Sequence, residues 1–130
     1  MSAKREGISS DSAPEAIGPY SQAVRAGDFL FCSGQLPLDP ESGEMVSGDL
    51  GQQTSRCLLN LEAVCLAAQC TLAEAVKITI YTTRLGEFPE INSAYGEHFS
   101  GGSPPARATV GVAELPLGAS IEIDATIFLG

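Results

Sequence analysis

The chain has 130 residues, enough for one domain with a real core, and its 44% apolar content is ordinary for a globular protein. Seven Lys and Arg against sixteen Asp and Glu give a net charge of -9, which argues against a nucleic-acid partner, because that affinity rests largely on basic patches. No apolar run approaches a membrane span, and Met1-Ser2-Ala3-Lys4-Arg5-Glu6 lacks the apolar core of a secretory signal, so no membrane association and a cytoplasmic location are expected.

Gly18-Pro19 and Gly27-Asp28 punctuate the first third, and the segments 21–26 and 29–33 read as two short strands joined by a tight turn. A turn-rich loop over 36–43 follows, and Met45-Val46 is a candidate short strand. Asp49 with Gln52 three residues on has the form of a capping box. Beyond it, Cys57, Leu58, Leu61, Cys65 and Ala68 recur at three- and four-residue spacing, which predicts a long helix with one apolar stripe. Residues 74–82 alternate β-branched side chains and predict a strand. A second helix is expected to start near Pro89, with Phe88, Ile91, Tyr95 and Phe99 on its apolar face. Strands are expected from Arg107 to Val112 and from Ile121 to Phe128, separated by a turn at Leu115-Pro116-Leu117-Gly118. The sequence order of strand, strand, helix, strand, helix, strand, strand predicts an α+β fold, a mixed sheet with both helices on one face, and a single unit over residues 1–130.

Cys32, Cys57, Cys65 and Cys70 form no Cys-x-x-Cys pair, and the chain has one histidine, so no zinc site is expected and the thiols read as small core residues. His98, with no second histidine and no placed nucleophile beside it, reads as structural. Gly101-Gly102-Ser103 lacks the Lys-Ser/Thr ending of a phosphate loop.

Arg107 stands out. It follows Pro104-Pro105-Ala106, whose prolines hold the approach extended, and its planar fork of donors suits a carboxylate. The same residue also reads as an exposed Arg on an edge strand, and the sequence leaves both accounts open. In the last strand Glu122 and Asp124 share a face, an arrangement that raises one carboxyl pKa when partly buried and suits proton transfer. The other account is the solvated face of an antiparallel sheet. The turn between the strands of Arg107 and Glu122 implies that they run antiparallel, which separates the two residues by roughly five or six positions at about 3.3 Å each. One chain is then not expected to bring both to one small substrate, and a symmetric oligomer with sites at subunit boundaries is expected. Tyr20 after Gly18-Pro19, Ser33-Gly34 at a strand end, and Asn92 beside the second helix's stripe are further candidates. In isolation each is more simply a turn residue, a strand end or a satisfied amide.

Taken together, the blocks Ala13 to Ala23, Ser33 to Pro40, Gln53-Thr54 with Asn60-Leu61, Phe88 to Tyr95, Pro105-Ala106-Arg107, and Leu115-Pro116 through Ile123 resemble, in order, the RidA (YjgF-like) reactive intermediate/imine deaminases. The resemblance covers the chain from Ala13 to the last strand. It implies a chorismate-mutase-like α+β fold and a homotrimer with a site in each intersubunit cleft. It also implies hydrolysis of 2-imino or enamine acids, such as 2-aminoacrylate from pyridoxal-phosphate-dependent dehydratases, to 2-oxo acids and ammonia, with no metal or cofactor. By that resemblance Arg107 grips the substrate carboxylate and Glu122 positions or activates water. Tyr20, Ser33, Gly34 and Asn92 line the cleft, and the backbone of Thr109 helps hold the carboxylate. Ala108-Thr109 and Asp124 depart from the residues common at those places and bear on substrate preference. A second reading is a non-catalytic trimer that binds small carboxylates and modulates a partner enzyme. A third, RNA cleavage or translation inhibition, fits the acidic composition poorly.

Overall fold

The alternation at the C-terminal end decides the layering. In the computed structural model, which describes residues 4–130, the strand Ile121–Phe128 buries Ile121, Ile123, Ala125 and Ile127, while the residues between them face the other way. Each fully buried isoleucine contributes about 2–3 kcal/mol, so a one-residue slip of register is strongly disfavoured. In chain order the elements are β1 (Arg5–Ile8), β2 (Ala23–Ala26), β3 (Phe29–Gln35), α1 (Leu50–Ala67), β4 (Ala75–Thr82), α2 (Phe88–His98), β5 (Ala106–Gly111) and β6 (Ile121–Phe128). Among the described residues six strands form one sheet in the order β1-β2-β3-β6-β4-β5. Every neighbouring pair is antiparallel except β4 and β5, which α2 joins as a parallel crossover. Helix α1 packs across β6 and β3 and against α2, so both helices cover one sheet face, as expected.

Helix α1 begins at the anticipated capping box: the Asp49 carboxylate accepts from the Gln52 N–H at 2.8 Å, and Gln52 Oε1 accepts from the Asp49 N–H at 2.9 Å. Its buried stripe includes Leu50, Cys57, Leu58, Leu61, Val64 and Cys65. All four cysteines are free and buried. At the other end, Arg25 of β2 donates from Nη2 to the carbonyl of Ala68 at 2.6 Å, placing a cation where the helix dipole is negative.

Several expectations needed correction. Strand β1 was not anticipated, because Arg5-Glu6-Gly7-Ile8 carries no apolar alternation and adds to the sheet only at its edge. Met45-Val46 is no strand; Met45 makes only an isolated bridge to Leu38. Strand β4 starts at Ala75 because Leu72–Glu74 forms a 3-10 turn. Strand β3 extends to Gln35 through an irregularity: Cys32 pairs with Ala125 and Gln35 with Ile123, so Ser33 and Gly34 lie in a bulge. No helix among the described residues is long and apolar enough to cross a membrane.

Asn60, fully buried in α1, ties the loop after β3 to the helix layer. Its Nδ2 donates to the carbonyls of Leu36 and Leu38 at 3.1 and 3.0 Å, and its Oδ1 accepts from Arg56 Nε and Nη2 at 3.0 and 2.8 Å. Asn60→Ala leaves two carbonyls and a guanidinium without these partners, so urea denaturation should show a loss of about 3 kcal/mol.

Candidate functional site

The bulge in β3 presents Ser33 and Gly34 beside Glu122 of β6. A Cβ built on Gly34 would lie 2.1 Å from Glu122 Oε2 and 2.8 Å from its Cδ, so the carboxylate occupies the space that only glycine leaves free. Around Glu122 is a cleft of about 440 Å³ lined by Pro14, Tyr20, Ser33, Gly34, Leu36 and Leu117 among others. Tyr20, half exposed, is carried by a tight turn in which Gly18 has φ +114° and the Tyr20 N–H donates to the Gly18 carbonyl at 2.9 Å. Its hydroxyl accepts from the Ile17 N–H at 3.3 Å. The Ser33 hydroxyl donates to the Ser21 carbonyl at 2.6 Å, and the Ser33 N–H to the Gln22 carbonyl at 2.9 Å.

Gln22 was not singled out from sequence, yet it anchors this wall. Buried, it donates from Nε2 to the carbonyls of Pro14 at 2.8 Å and Ser10 at 3.3 Å, and accepts from the Ser10 N–H at 2.5 Å. A glutamine beside a strand gives no sequence signal for which loop it will hold, and only the tertiary structure reveals it.

Glu122 is half-buried. Burial, and secondarily the neighbouring Asp124 charge, push its carboxyl above the usual glutamate value of 4.5. Asp124 shares that face, as the alternation predicted, and accepts from the Tyr81 hydroxyl at 3.2 Å. The pair thus has distinct environments: one carboxylate is hydrogen-bonded to a phenol, and the other is poised in a cleft.

Arg107 lies elsewhere. On β5, an edge strand, it pairs with Ile78, a residue of the helix-covered face, and its side chain reaches α2. Nη1 donates to Asn92 Oδ1 at 2.9 Å, and the guanidinium carbon sits 5.3 Å from the Phe88 ring centre and 4.7 Å from that of Tyr95. A second cleft of about 480 Å³ is lined here by Asn92, Tyr95, Phe99, Pro104, Pro105 and Arg107. Asn92 is exposed and partners Arg107, so it is not a core amide and does not join Tyr20, Ser33 and Gly34. Thr109, two positions along β5 and facing the same way as Arg107, keeps a buried hydroxyl oxygen without a partner among the described residues. His98 ends α2 and lines neither cleft.

The strands of Arg107 and Glu122 do run antiparallel, but the expected spacing is corrected. They are not neighbours: β4 lies between them. Arg107 pairs with Ile78 of β4 and Glu122 with Tyr81, an offset of 81 − 78 = 3 residues. With two inter-strand steps the Cα atoms are roughly 14 Å apart. Sheet face is the stronger separation, because Ile78 faces the helices and Tyr81 faces away from them. The candidate residues therefore divide into two groups on opposite faces, Tyr20, Ser33, Gly34 and Glu122 on one and Asn92, Arg107 and Thr109 on the other.

A larger groove of about 730 Å³ between the outer surfaces of α1 and α2 contains none of these residues. Among the described residues no cluster of three or more His, Cys, Asp or Glu is placed to hold a metal ion.

Comparison with known proteins fits this architecture. A family model described as Endoribonuclease L-PSP matches residues 10–128. Protein DfrA of Myxococcus xanthus is 52% identical over 123 residues, covering 93% of each chain. A 2-iminobutanoate/2-iminopropanoate deaminase of Dermatophagoides farinae is 41% identical over 130 residues, covering 99% of each. The solved structure of a Rid-family protein from Yersinia pestis superposes with a TM-score of 0.93 at 40% identity, covering 96% of this chain and 99% of that one. The chain belongs to the RidA (YjgF-like) family.

Proposed function

We propose that this protein hydrolyses small 2-imino and enamine acids to 2-oxo acids and ammonia, in clefts that two neighbouring subunits of a homotrimer complete together. The observation that carries the reading is the division of the candidate residues: an arginine held against α2 and a half-buried carboxylate in a cleft occupy opposite faces of one sheet. A neighbouring copy that sets its Arg107 against this chain's Glu122 resolves that separation. The helix-free face favours such assembly, since Phe29, Phe31 and Phe128 cluster there with ring centres 6.4 and 5.6 Å apart and remain 38–49% exposed.

In this reading the guanidinium of Arg107 grips the substrate carboxylate. Glu122 takes a proton from water as its oxygen bonds to the imine carbon, and the C=N π electrons move to nitrogen. Glu122 returns that proton to the nitrogen and then relays the proton of the new hydroxyl to it as the C–N bond breaks, so that ammonia leaves and the carbonyl forms. The imine carbon is already electrophilic, so the chemistry needs placement and proton handling without a covalent nucleophile or cofactor. A carboxylate lining the cleft suits that proton traffic, whereas in a passive binder it would only repel the carboxylate of the ligand. The net charge of -9 weighs against RNA cleavage.

The direct test generates 2-iminopropanoate in situ with a pyridoxal-phosphate-dependent dehydratase and follows its decay. Wild-type protein should accelerate decay in proportion to its concentration, and an unchanged decay rate would overturn the enzymatic reading.

Assembly should also be linked to pH. In one chain burial raises the Glu122 carboxyl above 4.5, whereas a neighbouring Arg107 cation draws it down. The assembled form then binds that proton less tightly than the free subunit. Association strengthens as pH rises through the region above 4.5 and weakens as pH falls. Sedimentation measured from pH 4 to 7 should show this dependence in wild type and a flatter one in Glu122→Gln.

A further inference from the structure

We propose that Phe88 and Tyr95 clamp the Arg107 guanidinium between their rings and thereby set how tightly the site holds a carboxylate; this rests on the reading of Arg107 as the carboxylate receptor. Phe88, Asn92, Tyr95 and Phe99 fall at spacings of four, three and four along α2, so they share one helix face. From sequence that face reads as core, but only Ile91 and Tyr95 of its large apolar members are buried. Tyr95 is 5% exposed, and its ring stacks on Phe99 with centres 4.6 Å apart at 35°, so it cannot swing away from Arg107. The guanidinium carbon lies within cation–π range of both Phe88 and Tyr95, at 5.3 and 4.7 Å.

Asn92 takes Nη1, which leaves Nε and Nη2, the two donors of one edge of the fork, without a partner among the described residues. That edge matches the two oxygens of a carboxylate. Arginine is otherwise a long, mobile side chain, and this one is exposed. Held on two rings and one amide, it presents its free edge in a fixed direction, and less motion is lost when a ligand binds. The buried Tyr95 hydroxyl has no hydrogen-bond partner among the described residues, so the ring is the part of Tyr95 that acts on Arg107. Phe88 and Tyr95 are positioning residues; neither touches the reacting atoms.

The test measures binding of pyruvate, a stable 2-oxo carboxylate, and of pyruvamide, which lacks the charge. The proteins are wild type, Tyr95→Leu, Tyr95→Phe, Phe88→Leu and Arg107→Ala. Tyr95→Leu should weaken pyruvate binding about tenfold and Phe88→Leu about threefold, with pyruvamide binding unmoved. Tyr95→Phe should restore most of what Tyr95→Leu loses, because the ring returns. In an Arg107→Ala background both leucine variants should add nothing. A folded Tyr95→Leu that binds pyruvate like wild type, or a Tyr95→Phe as weak as Tyr95→Leu, overturns the clamp while leaving the receptor role of Arg107 intact. Should Tyr95→Leu fail to fold, Phe88→Leu decides: unchanged pyruvate binding overturns the clamp. If Arg107→Ala itself binds pyruvate like wild type, the receptor reading falls and the clamp with it.

Discussion

Glu122→Gln is expected to lower kcat for 2-iminopropanoate by about 10²–10⁴-fold, the range that a positioned proton acceptor contributes. The amide keeps the shape of the carboxylate, so KM should move only a few-fold. Arg107→Ala should produce the complementary signature, a rise in KM of about a hundredfold from the loss of a charge-assisted, two-point grip. Arg107→Lys should recover little, since an ammonium offers a point charge in place of a planar fork. Steady-state kinetics on the three variants separates these outcomes. Full activity in Glu122→Gln would remove the carboxylate from the mechanism, whatever Arg107 does.

Gly34→Ala should have an effect almost as large for a different reason. Its Cβ would fall 2.1 Å from Glu122 Oε2, and the flexible end of Glu122 can yield where backbone could not. The carboxylate must therefore swing out of place. Misplacement by an ångström costs about 10²-fold in rate, so Gly34→Ala should lose activity on that scale. Its stability should fall by no more than about 1 kcal/mol, because the displaced group is a half-buried side chain with room to turn. Combined with Glu122→Gln, the alanine should cost little further activity, since both act on one group. An active Gly34→Ala protein would mean that the observed position of Glu122 is not the working one.

Local chemistry made much of the fold legible. The Asp49–Gln52 capping box, the three- and four-residue spacing from Cys57 to Cys65, and the alternation of Ile121 to Ile127 each state their structure within a few residues. What escaped was set by contacts distant in sequence. Nothing in the segment from Arg107 to Glu122 says that β4 inserts between their strands, so their antiparallel sense was readable and their spacing was not. The edge strand Arg5–Ile8 lacks an apolar face, and the bulge at Ser33-Gly34 needs the register of β6 to exist. Helical spacing places Asn92 beside an apolar stripe but is silent on its partner, a cation 15 residues away. Buried Asn60 and Gln22 hold loops whose proximity no helical or strand period encodes.

The central claim is that Arg107 of one subunit and Glu122 of another serve the same cleft. Mixing Arg107→Ala and Glu122→Gln proteins one to one, dissociating them, letting them reassemble and assaying well below the wild-type KM, where each parent has about a hundredth of wild-type activity or less, tests it directly. A cleft is intact when its Arg107 comes from a Glu122→Gln chain and its Glu122 from an Arg107→Ala chain. Random assembly makes about a quarter of the clefts so, and about a quarter of wild-type activity should return. Each variant reassembled alone should stay at about a hundredth of that activity or less. If the mixture shows no more activity than its parents while mixed oligomers are seen to form, the two residues do not share an intersubunit cleft.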